Sequence, residues 1–169
     1  LGAPADPELI HLVKHEIGNF DPRILGVHDL MVHDYGPGQT FASIHVEVDR
    51  REDVLEIHEM IDRAERMMLE KHRIHLTIHY DPVVTDDKTL QHMRKKVETE
   101  LKKIHPDLTL HDFRMVAGDT SSNLIFDVVL PDSLRGKGAE IQKTLEQNIQ
   151  EPGMTYHTVI TFDAEAFNR

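Results

Sequence analysis

His28-Asp29-Leu30 returns as His111-Asp112-Phe113, an offset of 111 − 28 = 83. Gly36 returns as Gly118, and Ile78-His79-Tyr80-Asp81 returns as Ile160-Thr161-Phe162-Asp163, both at an offset of 82. Landmarks repeated in one order at one spacing describe a duplicated unit of about 80 residues, and such a repeat limits the fold more than any single motif does. The unit must form a compact layer of its own, and it must do so twice.

The local pattern supplies that layer. Asp6-Pro7 reads as a helix start, an N-cap acid followed by proline at the first position, with Leu9, Val13, Ile17 and Phe20 at helical spacing. Strands are expected at Gly26–Tyr35 and Thr40–Val48, joined by the turn Gly36-Pro37-Gly38. Val54, Ile57, Ile61, Ala64 and Met68 mark a second helix, and Ile74–Tyr80 a third strand. After Asp81-Pro82 the pattern starts again. A helix carries Leu90, Met93, Val97 and Leu101; strands lie at Leu108–Val116 and Leu124–Leu130; a helix near Ala139–Ile149 and a strand near Thr155–Phe162 follow. The order is αββαβ twice. Helices that return between strands of one sheet favour two-layer α+β units, here residues 1–83 and 84–169, with the second a degenerate copy of the first. Asp86-Asp87 is read as helix-capping sequence at the junction.

Composition narrows the chemistry. The formal net charge is −11, which opposes binding to nucleic acid or to an anionic membrane surface, since both need a basic face. Cysteine is absent, so disulfides, thiolate metal sites and cysteine nucleophiles are excluded. No apolar run approaches the roughly 18 to 20 residues of a membrane span. Leu1-Gly2-Ala3-Pro4 lacks the basic and apolar stretches of a signal peptide, and the missing initiator Met marks a fragment or a processed chain. The outlier is 13 histidines, the commonest metal-ligand type.

Strand alternation places part of that histidine content on one surface. Ala42, Ile44, Val46 and Val48 share one face of the second strand; Phe41, Ser43, His45, Glu47 and Asp49 share the other. Ile74, Leu76, Ile78 and Tyr80 point to the core from the third strand; His75, Thr77, His79 and Asp81 point away. A turn centred between Pro37 and Gly38 pairs residue 28 with 47 and residue 30 with 45, so His28 and His45 become diagonal neighbours, about 7–8 Å apart at the backbone. Imidazoles from His28, His45 and His79 and the carboxylate of Asp81 then converge on the open sheet face. Zinc accepts that donor set at roughly 2.0–2.2 Å. Without thiolates, cadmium, manganese, cobalt and nickel stay open as well. His33, His72, His75, His92, His105 and His157 read as ordinary surface histidines, as does the helical pair His11 and His15.

The stretches Gly26-Val27-His28-Asp29-Leu30, Phe41-Ala42-Ser43-Ile44-His45-Val46-Glu47-Val48 and Ile78-His79-Tyr80-Asp81-Pro82 resemble the cytoplasmic domain of cation diffusion facilitator transporters. Glu56-Ile57-His58-Glu59, Glu65 and the opening Leu1-Gly2 are similar too, and the resemblance covers about residues 1–83. It implies a ferredoxin-like, metallochaperone-like αββαβ fold, a homodimer, and zinc near the dimer interface, with metal binding tightening the dimer and favouring export. Carried over by position, the ligands are His28, His45, His79 and Asp81, with His58 as an additional one. The resemblance also implies an attached membrane-spanning transport domain and a place on the cytoplasmic face of the membrane. Two other functions compete. One is a free-standing cytosolic buffer or chaperone for metal. The other is a metal-dependent hydrolase, which the missing HExxH helix and phosphate loop disfavour.

In the second half His111 matches His28 and Asp163 matches Asp81, but Asp127 stands for His45 and Thr161 for His79. The repeat is therefore expected to keep the fold and lose the site. Phe113, Leu124 and Phe126 are candidates to cover an open sheet or extend a dimer surface.

Overall fold

The computed structural model describes residues 5–85 and 87–165. Its element order is α1 (Pro7–Gly18), β1 (Gly26–Asp34), β2 (Thr40–Asp49), α2 (Val54–His72) and β3 (Ile74–Val83), then α3 (Lys88–Ile104), β4 (Thr109–Val116), β5 (Ser121–Leu130), a short 3-10 turn at Asp132–Leu134, α4 (Gly138–Asn148) and β6 (Thr155–Ala164). The chain divides into two compact units between Pro82 and Val83, and each is an αββαβ layer pair with its own three-stranded sheet. Leu1-Gly2 and Asp86 lie outside the described residues. Among the described residues no helix is long and apolar enough to cross a membrane.

Capping sets the helix starts. The Asp6 carboxylate accepts from Glu8 N at 2.9 Å and that of Asp53 from Glu56 N at 3.0 Å; Asp87 does the same for Thr89 N. Removing the exposed Asp53 cap (Asp53→Ala) is expected to cost about 1 kcal/mol, read as an earlier denaturant midpoint for the first unit.

Each sheet has the order first, second, third strand. The first pair in each unit is antiparallel. In the second unit β5 and β6 run parallel, Ser121 against Thr155 and Asp127 against Thr161, an offset of 155 − 121 = 34. In the first unit the ring neighbours Phe41–His75 and His45–His79 are also 34 apart, so β2 and β3 run parallel in the same register. The helix between them is the crossover that a parallel pair requires.

The register of β1 on β2 departs from the expected one. His33 opposes Phe41 and Met31 opposes Ser43, but His28 opposes His45 directly, because a bulge lies between His28 and Met31. Asp29 occupies the left-handed region at φ 51; the turn sets the pairing one residue off the expected register and the bulge moves it one more, so a diagonal relation becomes a facing one. The second unit repeats the device: Asp112 has φ 55, a bulge lies between His111 and Arg114, and His111 opposes Asp127. Not every landmark repeats in conformation. Gly36 sits at φ 116 in its turn, whereas Gly118 serves a close approach, since a Cβ there would fall 2.3 Å from the Ser121 carbonyl oxygen.

Two separate cores hold the units. Val13, Ile17, Ile44, Val46, Ile57, Met60, Met68 and Ile74 anchor the first; Met93, Val97, Leu101, Leu124, Phe126 and Leu145 anchor the second. Leu124 and Phe126 are fully buried against their own helices, and Phe113 packs on that core with its ring 5.5 Å from Phe126. They are not available to cover another sheet, because the face toward the helices takes the apolar positions of β5. Val54, expected on the buried stripe of α2, is 63% exposed.

Candidate metal centre

The open face of the first sheet carries a row of imidazoles across its strands. β1 supplies His28, the central β2 supplies His45, and β3 supplies His79. The rings of His28 and His45 are 5.0 Å apart and those of His45 and His79 are 4.8 Å apart. Asp81, two residues beyond His79 on the same side of β3, lies at the hub. Its Oδ2 is 3.1 Å from His28 Nε2 and 3.1 Å from His45 Nδ1, and its Oδ1 is 3.4 Å from His79 Nε2. The row runs from inside to outside: side-chain exposure is 8% for His28, 36% for His45 and 69% for His79.

Two overlapping sets of ligand atoms lie within 4.8 Å of one another, His28 with Asp29 and His45, and His45 with His79 and Asp81. Four of the expected ligands are thus brought together. Asp29 joins them, placed by the bulge that its own backbone makes; strand alternation does not anticipate it. His58 is elsewhere: it sits exposed on α2, 3.8 Å from Asp62, outside both sets.

The electrostatics follow from the packing. Burial alone pushes the His28 imidazole toward the neutral form, but hydrogen bonds to Asp81 and to Glu47 and their charges outweigh it and raise its pKa to about 9. Burial likewise pushes the Asp81 carboxyl up, and the hydrogen bonds from His28 and His45 bring it below its ordinary value. Glu47, expected on an open face, is 1% exposed, with Oε2 3.0 Å from His28 Nδ1. The donor set, imidazole and carboxylate without sulfur, suits a borderline divalent cation such as zinc.

Other histidines have local partners. His72 meets Glu16 at 2.8 Å, His92 meets Glu151 at 3.2 Å, and His75 stacks on Phe41. In the second unit the matching positions read differently. The Asp127 carboxyl is raised by burial, Asp163 and Asp112 add to that, and the Arg114 guanidinium opposes it. Among the described residues both ligand sets belong to the first unit.

A family model described as the cytoplasmic domain of cation efflux proteins matches residues 5–83. Among solved structures the chain is similar to CzrB, described there as a zinc transporter, at 28% identity over 47% of this chain and 98% of that one, with a TM-score of 0.43. It is similar to the zinc form of CzrB at 29% identity, over 48% and 90%, with a TM-score of 0.42. It is also similar to a double mutant of the MamM C-terminal domain at 19% identity, over 48% and 91%, with a TM-score of 0.41. No curated protein matches. Over its first unit the chain matches the family model of the cytoplasmic domain of cation efflux proteins, and that match covers residues 5–83, just under half of its 169 residues.

Proposed function

We propose that this chain is the metal-binding, regulatory and dimerisation region of a divalent-cation efflux transporter, attached to a membrane-spanning transport domain on its cytoplasmic face. The cation is zinc, and its ligands are His28, His45, His79 and Asp81. The role is binding rather than turnover. The observation that carries this reading is the single carboxylate of Asp81 within 3.1–3.4 Å of nitrogens from three histidines on three strands.

Bound metal would supply positive charge and fixed coordination at the centre of that face. The chain's own groups define what it replaces: the proton between His28 and Asp81, and the hydrogen bond that Asp81 accepts from His45. A protein of net charge −11 repels its own copies, so a cation that neutralises carboxylates at one surface favours association. His58 lies outside its own chain's cluster, so as an additional ligand it would act from a partner copy.

Calorimetric titration of the full chain with zinc should show saturable binding. Sedimentation velocity should move from monomer toward dimer as zinc is added. No binding, or a monomer at high concentration under both conditions, would overturn the reading.

A further inference from the structure

The side of His28 that faces away from Asp81 is closed by a buried acid. Glu47 is 1% exposed and its Oε2 lies 3.0 Å from His28 Nδ1, while His28 Nε2 lies 3.1 Å from Asp81 Oδ2. A carboxylate oxygen can only accept, so in the metal-free ring Nδ1 donates to Glu47 and Nε2 to Asp81; once a cation takes Nε2, the proton that remains is the one Nδ1 donates to Glu47. Nε2 is then the nitrogen turned toward His45, Asp81 and the open face. The chain makes room for this acid. Gly26 pairs with Glu47 across β1 and β2, and a Cβ at Gly26 would meet Glu47 Oε2 at 3.1 Å and Cδ at 3.4 Å. Glycine at that position lets the carboxylate lie against the backbone of β1, level with the His28 ring.

We propose that Glu47 is the positioning residue of the metal centre: seated over Gly26, it holds His28 with Nδ1 protonated and Nε2 presented to the cation. This rests on the metal-binding reading of His28. A buried acid is costly to keep without a partner, and here it takes the nitrogen that the cation does not need. Outer-shell acceptors of this kind fix the ring orientation and tautomer of a ligating histidine, and losing one typically costs 10–100-fold in metal affinity. Nothing in the sequence pattern separates Glu47 from the exposed acids around it. Its role depends on burial and on the bulge at Asp29, which brings His28 level with β2.

The test compares the full chain with Glu47→Gln, Glu47→Met and Gly26→Ala. Glutamine keeps an acceptor of the same shape without charge. Methionine fills similar space with almost no acceptor strength, and alanine at residue 26 displaces the carboxylate while leaving it chemically intact. Two readouts are taken: zinc affinity by competition with a chelator, and the His28 ring nitrogens by two-bond nitrogen–proton correlation spectra. The spectra are recorded zinc-loaded and also metal-free above the His28 pKa of about 9. Zinc-loaded wild type and Glu47→Gln should both show Nδ1 protonated, with Gln within about threefold of wild type in affinity. Glu47→Met should lose the single tautomer and bind zinc roughly 10–100-fold more weakly, and Gly26→Ala should shift the same way by a smaller factor. Unchanged tautomer and affinity in Glu47→Met overturn the proposal. So does a Gln variant as weak as Met with its tautomer intact, because charge rather than positioning would then be the cause. If Glu47→Met does not fold, Gln and Gly26→Ala decide the question on the same readouts. If wild-type protein binds no zinc, the metal reading fails, and the metal-free spectra still decide whether Glu47 holds the Nδ1 proton, because loss of that acceptor in Glu47→Met should shift the ring toward the Nε2–H form that Asp81 accepts.

Discussion

Replacing His45 and His79 together by alanine is expected to weaken zinc binding by at least about 100-fold, since outer-shell partners alone are worth 10–100-fold. His45 is the shared member of both ligand sets, and its ring stands between those of His28 and His79. Without His45 and His79, Asp81 keeps only His28 among its imidazoles, and zinc is left with too few protein ligands for its usual four-coordinate shell. The fold should survive the loss. The side chains are 36% and 69% exposed, and the core residues of β2 and β3 point to the opposite face. Metal-free thermal melts of wild type and variant should therefore differ by no more than the lost His45–Asp81 hydrogen bond, about 1–3 kcal/mol, while their zinc titrations differ far more. His92→Ala and His157→Ala, both in the second unit, serve as controls with wild-type affinity. Unchanged zinc binding in the double variant would reject the assigned ligands.

Much of this site can be read from residue order, because a strand reports its faces through alternation. His45 with Ser43 and Phe41, and His79 with Thr77 and His75, separate cleanly from Ile44, Val46, Ile74 and Leu76. The parallel register of β2 and β3 then brings His45 and His79 side by side. What alternation cannot show is a residue that leaves it. Asp29 adopts a left-handed backbone inside β1, and the strand gains one residue over its partner. The expected diagonal of His28 and His45 became a direct pair through this bulge together with a one-residue offset already present at the turn. Aspartate tolerates such a conformation better than most residues do, which is a weak signal before the fold is known.

Burial is the second thing that residue order hides. Glu47 and Asp81 are charged residues at positions that alternate toward solvent, yet they are 1% and 7% exposed. Neighbouring rings and the closely paired β1 strand cover them, and those are long-range contacts. His58 shows the converse. Its helix position is legible, but within one chain it stays away from the cluster. The repeat itself survives as architecture more than as chemistry. Both units keep the αββαβ order that the matched landmarks anticipate, and they also share the bulge and the offset of 34 between their second and third strands. At the position of the imidazole row, however, the second unit has Asp112, Asp127 and Asp163 near Arg114, whose charge only partly offsets the burial that raises the Asp127 carboxyl.

Zinc affinity and metal-free stability are expected to move in opposite directions with pH, and His28 is the reason. Its pKa stands at about 9, against an ordinary 6.5, because Asp81 and Glu47 stabilise the imidazolium more than burial penalises it. A metal ligand must be neutral, so below about pH 9 each zinc bound at Nε2 displaces a proton. Affinity should then climb about tenfold per pH unit from neutrality and flatten above the His28 pKa, with close to one proton released per zinc from this ring. Metal-free protein behaves in the opposite sense. A group whose folded pKa is raised contributes stability that is complete below its unfolded pKa of 6.5 and is lost as pH rises through about 9. That loss amounts to at most about 3 kcal/mol for this shift. Asp81, held low, contributes above its ordinary 3.8 and loses that contribution as pH falls through its folded value. Metal-free protein should therefore be most stable between about 4 and 6.5 as far as this pair decides it, and zinc should stabilise most at the alkaline end. Denaturant melts with and without zinc across that range, together with calorimetry in buffers of different ionisation enthalpy, measure both trends. A flat affinity profile with no proton release would show that His28 does not ligate through the nitrogen facing Asp81.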